Sequence, residues 1–67
     1  MWTEELQKQT REFFETLPIA AMKHFGDMRF GFCMLKDGKY IITDRESVDR
    51  WEYDSVDALI DDGWAID

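Results

Sequence analysis

The chain has 67 residues, 45% of them apolar and 15% aromatic, and a net charge of −7. A domain this short buries only about 60% of the surface its unfolded chain exposes, so the three Trp, two Tyr and five Phe must supply most of a thin core. That aromatic content argues against disorder. The lone Cys33 excludes an internal disulfide and a multi-cysteine zinc site. The apolar runs stop far short of the about 20 residues a membrane span needs.

The chain begins "MWTEELQKQT", with no basic stretch leading into an apolar one. It therefore reads as free of a signal peptide, and a cytoplasmic location is expected. Thr3 is a capping residue, and Glu4 and Glu5 follow it where acids suit the helix dipole. Trp2, Leu6, Thr10, Phe13 and Leu17 fall on one stripe at helical spacing, opposite Lys8, Arg11, Glu12 and Glu15. This predicts an amphipathic helix over residues 3–16. Pro18 biases Leu17 away from helical dihedrals but suits the first turn of a new helix. Ile19, Met22 and Phe25 recur every third residue, Lys23 and His24 lie in the last turn, and Gly26 suits a left-handed cap. The expectation is a kinked helix or a helix pair.

In "MRFGFCMLKDGKYIITD", apolar residues alternate and Asp37-Gly38 is a strong hairpin signal, since a type I′ turn needs positive φ at both central residues. A two-residue turn there sets Lys36 opposite Lys39, Leu35 opposite Tyr40 and Met34 opposite Ile41. One face of the hairpin then holds Phe30, Phe32, Met34 and Ile41, and the other Cys33, Leu35, Tyr40 and Ile42. A single helical layer covers one of these faces. The second, taken as the one around Leu35, Tyr40 and Ile42, is left for self-association. "DRESVDR" reads as a turn and "RWEYD" as a third antiparallel strand, with Trp51 and Tyr53 on one side. Asp54 or Ser55 caps a final helix with Val56, Leu59 and Ile60 inward, Gly63 ends it, and Trp64-Ala-Ile-Asp suits a short edge strand. The reading is one α+β domain over residues 1–67: an N-terminal kinked helix or helix pair, a three-stranded antiparallel meander and a short C-terminal helix, in the order α-α-β-β-β-α.

Charge is unevenly spread. Residues 1–39 hold six basic and six acidic side chains, whereas residues 40–67 hold two basic and nine acidic ones, the entire −7. The second half offers little counter-charge to phosphate, so no direct nucleic-acid binding is expected through it. The last helix breaks a local rule. Asp57 and Asp61, four apart, repel by about 0.2–0.5 kcal/mol, and Asp61 and Asp62 at the negative end of the dipole cost about 0.3–1 kcal/mol each. A cap returns about 1 kcal/mol. Acids retained there against local stability suggest a contact surface.

The candidate partner-binding set is Asp44, Glu46, Glu52, Tyr53, Asp54, Asp57, Asp61 and Asp62, facing a basic protein surface or a nucleic-acid-binding groove. In size and charge the chain is comparable to small acidic phage-encoded inhibitors of nucleases and other DNA- or RNA-binding complexes, CRISPR inhibitors among them; no sequence motif carries the likeness further. The alternatives are a solvated acidic face, a halophile-type acid excess, and a self-associating domain or homodimer. Trp51 and Trp64 are read as core, while Tyr53 suits core or contact surface equally. No enzyme is expected. His24 has no partner in sequence for acid–base work, Cys33 has no neighbouring cation to activate it, and no calcium loop or phosphate-cradling glycine loop is present. No cofactor and no metal ligand set is called.

Overall fold

The computed structural model describes residues 1–67. Its elements are α1 (Glu4–Thr16), β1 (Ile19–His24), β2 (Phe30–Lys36), β3 (Lys39–Asp44), β4 (Arg50–Tyr53), α2 (Val56–Asp61) and β5 (Trp64–Ile66). All strand pairs are antiparallel, in the order β4-β3-β2-β1-β5. The α+β class, the N-terminal helix, the strand meander and the short C-terminal helix are as expected. The chain runs through β1 to β4 in sequence, crosses back through α2, and adds β5 to the outer edge of β1. No helix is long and apolar enough to cross a membrane.

The second helical segment is a correction. Residues 19–24 form a strand, not a helix. Leu17 is already extended (φ −124°, ψ 136°) and caps α1 with its N–H on the Phe13 carbonyl. Pro18 carries the chain onward, and its carbonyl accepts from the Leu35 N–H. A helix of two turns is marginal alone, whereas β1 is paired along both edges, by β2 and β5. Its burial alternates, with Ala20 and Met22 inward. The three-residue recurrence of Ile19, Met22 and Phe25 is therefore incidental: Ile19 and Phe25 are exposed.

Local signals elsewhere hold. Thr3 Oγ1 accepts from the Leu6 N–H, and Ser55 rather than Asp54 caps α2 through the Ala58 N–H. Asp37 and Gly38 both take positive φ (54° and 77°), and the hairpin has the expected Lys36–Lys39 register. The helices lie on one face of the sheet, over a core of Phe14, Met22, Cys33, Ile42, Leu59, Ile60 and Trp64. Thr10 is buried within this layer. Its hydroxyl donates to the Leu6 carbonyl and accepts from the Ile66 N–H, which ties α1 to β5.

The covered and free faces of the hairpin are the reverse of those expected. Cys33 and Ile42 are fully buried, and Tyr40 packs edge-on against Phe14 with ring centroids 5.4 Å apart. The Leu35, Tyr40 and Ile42 face is thus the core face, and the Phe30, Phe32 and Met34 face is open.

Candidate binding surfaces

The eight residues of the acidic set do not gather on one surface. Glu52 pairs with Ile41 across β3 and β4, which puts it on the open face, beside Arg50 at 3.5 Å. Asp44 closes β3, accepts from the Glu46 N–H at 2.7 Å and lies 4.0 Å from Arg29. Arg29 also faces Asp27 and Asp49 and lies over the Trp51 ring, so one guanidinium bridges three carboxylates at the loop end of the molecule. Glu46 is exposed in the loop after β3. Asp54 holds the Lys39 ammonium at 2.7 Å; this contact lowers the Asp54 pKa and raises that of Lys39.

The acids of α2 have partners that local rules do not see. Asp57 receives the Arg11 Nε–H of α1 at 2.7 Å. The Asp62 carboxylate accepts from the Tyr53 hydroxyl, which in turn accepts from the Nε1–H of the buried Trp64 at 3.0 Å. Burial first, and then the Asp62 carboxylate, push the Tyr53 pKa up. Asp61 is exposed, and its side chain makes no hydrogen bond or ion pair. Tyr53, Asp57 and Asp62 are therefore structural ties, and Asp61 alone retains the unfavourable position that the sequence raised.

His24 lies in β1 with its ring edge-on to Trp64. It lines a cleft with Asp27, Arg29 and Asp62. Its Nδ1 accepts from the Asp27 N–H at 3.3 Å, so Nε2 carries the proton and donates to the Asp62 carbonyl at 2.6 Å. Both nitrogens are engaged by main chain, and the ring straps the β1–β2 turn to the end of α2. Gly63 admits this ring: a Cβ there would lie 2.8 Å from His24 Nε2. Cys33 is fully buried, and desolvation pushes its thiol up to about 12, which holds it protonated.

The open face of the sheet was not called from sequence. Ile19 and Met34 pair across β1 and β2, Ala21 pairs with Phe32, and Lys23 pairs with Phe30. Ile19, Phe30, Phe32 and Met34 are 55%, 39%, 48% and 48% exposed. A shallow groove of about 270 Å³ is lined by Ile19, Phe32 and Met34 and bounded by Ile41, Lys36 and Arg50. The Arg45 guanidinium lies 5.3 Å from the Phe32 ring centroid and 5.8 Å from that of Phe30. By register and these contacts, the face carries Lys23, Lys36, Lys39, Arg45 and Arg50 against three acids: Glu52, Asp54 on the Lys39 ammonium, and Asp67, whose N–H donates to the Ala21 carbonyl at the β1 edge. The helix layer has the opposite sign. Over α1, α2 and the Asp62 cap, seven carboxylates stand against Lys8 and Arg11.

The signal for this face was present in "RWEY". Once β4 is paired with β3, Trp51 and Tyr53 join Ile42 and Tyr40, whereas Arg50 and Glu52 join Thr43 and Ile41. The side with the large aromatics is the core side. Compared with known protein families, characterised proteins and solved structures, the chain has no significant match.

Proposed function

We propose that the protein is a non-enzymatic binding domain that engages a macromolecular partner through the open face of its sheet. The observation that carries this reading is the contiguous apolar strip of Ile19, Phe30, Phe32 and Met34, exposed on a sheet whose other face holds the whole core. Exposed apolar area with a charged rim is the usual composition of a docking surface. The two longer dimensions of the molecule are 29 and 27 Å between Cα atoms, on the scale of the about 800 Å² per partner of a standard interface.

The test is affinity capture from the source lysate with wild type, Phe32→Ser and an Asp57→Asn/Asp61→Asn/Asp62→Asn variant. Loss of a defined partner in Phe32→Ser, with retention in the triple variant, is the expected result. The opposite pattern overturns this reading. It would favour a second one, in which the acidic helix layer meets a basic groove as an inhibitor that mimics nucleic acid. Glu12, Glu15 and Asp61, exposed and without ion-pair partners, support that alternative.

A further inference from the structure

The chemistry of the open face narrows the partner. Phe30 and Phe32 lie two apart on β2, the central strand, so their rings project from the same side, about 6.5–7 Å apart along the strand. Arg45 already lies against both rings. Lys23 is the cross-strand partner of Phe30, and Arg50 pairs with Thr43, itself the partner of Phe32. Aromatic rings on a sheet, interleaved with Lys and Arg, form a platform on which unpaired bases stack while cations follow the phosphates. We propose that this face binds single-stranded nucleic acid, with Phe30 and Phe32 stacking bases and Lys23, Lys36, Arg45 and Arg50 contacting phosphates. The inference rests on the docking role given to the open face above.

Two physical objections are met by the fold. The first is the net charge of −7. The only two cations of residues 40–67, Arg45 and Arg50, both lie on the open face; of the nine acids there, Asp57, Asp61 and Asp62 belong to the helix layer, Asp44, Glu46 and Asp49 to the loop end, and Glu52, Asp54 and Asp67 to the margin of the face. The molecule is 16 Å through its thin dimension, about twice the Debye length of roughly 8 Å at physiological salt. A strand on the sheet therefore senses the local cations more than the distant acids. The second is a competing occupant. A second copy laid face to face would set the five cations of the face against their own kind, with three acids to offset them, of which Glu52 and Asp54 are already paired with Arg50 and Lys39. Duplex fits poorly, because the sheet face offers no helix or ribbon to enter a groove and a duplex offers no unpaired base to stack.

The experiment is fluorescence anisotropy of labelled oligo-dT and oligo-U of about 12 nucleotides, within the span of a single binding fold. Micromolar binding is expected, with a log–log salt slope of about −3 for four phosphate contacts at about 0.7 each. Phe32→Ala and Phe30→Ala should each weaken binding about tenfold. Phe32→Tyr should retain affinity, and Phe32→Leu, which keeps apolar area without a ring, should not. Arg45→Ala/Arg50→Ala should reduce the slope by about 1.4. These side chains are exposed, and an unchanged thermal midpoint in each variant confirms folding.

No binding at about 100 µM protein in low salt overturns the proposal. So does equal affinity for Phe32→Leu and wild type, equal affinity for duplex, or tighter binding of a labelled poly-glutamate peptide, which would make an acidic polypeptide the occupant. If oligonucleotides fail while lysate capture still depends on Phe32, the nucleic-acid assignment falls and the docking face stands. If neither assay depends on Phe32, both fall.

Discussion

Gly63 and His24 show how one residue's freedom supports another's geometry. Gly63 adopts φ 106°, which L side chains rarely reach, and His24 Nε2 occupies the space its Cβ would need. Gly63→Ala therefore pays twice. It should lose more than about 1 kcal/mol, read as a lower urea midpoint at unchanged m-value. Cys33 makes a pH-dependent contribution. Its folded pKa lies above the ordinary 9.0, so above pH 9 the unfolded chain releases a proton that the folded chain keeps. The stability this provides is complete below pH 9 and declines as pH rises toward 12. Tyr53, also pushed up, adds to the decline above pH 10. Denaturant midpoints between pH 7 and 11 should fall from about pH 9, and Cys33→Val should flatten the first part of that fall.

At the scale of elements, α2 shows that an unfavourable local sequence is often a tertiary contact unseen. Of its acids, Asp57 is held by Arg11 and Asp62 by Tyr53. Asp61→Asn should therefore stabilise by about 0.3–1 kcal/mol, by relieving the dipole and the Asp57 repulsion. Asp62→Asn should instead cost about 1 kcal/mol, because the charged acceptor of the Tyr53–Trp64 chain is lost. Thermal midpoints of the two variants should move in opposite directions. β1 makes the complementary point. Six residues with ambiguous spacing became a strand because two neighbours supplied hydrogen bonds along both edges, and no local preference of that size competes with such pairing. The neighbours come from residues 30–36 and 64–66, too distant for any window over residues 17–26 to register.

For the whole molecule, the decisive feature is which face of the sheet the helices cover. If the Cys33 and Ile42 side is the core, truncations must divide sharply. Ile42→Ala should cost about 2–5 kcal/mol, while Phe32→Ser, on the open face, should stay within about 0.5 kcal/mol of wild type. Comparable losses in urea denaturation would mean that the assignment of faces is mistaken. The same layering gives the molecule two electrical sides, a basic sheet face and an acidic helix face. This division differs from the neutral first half and acidic second half seen along the chain.

Several features were decided by residues close together in the chain. Thr3 specifies the start of α1, Asp37-Gly38 the turn and register of the hairpin, and Ser55 and Gly63 the limits of α2. Each depends on backbone geometry or hydrogen bonds spanning a few residues, which local sequence controls directly. The α+β class followed from them. What only the tertiary structure decided were the pairings between distant segments: β1 between β2 and β5, Arg11 with Asp57, Tyr53 with Asp62, and the choice of buried hairpin face. Both faces of the hairpin are apolar enough to be core, so alternation alone cannot choose between them. The choice rests on where Trp51 and Tyr53 join the sheet and where Phe14, Leu59 and Trp64 pack against it, because the helical layer buries the most area on the side carrying the large aromatics.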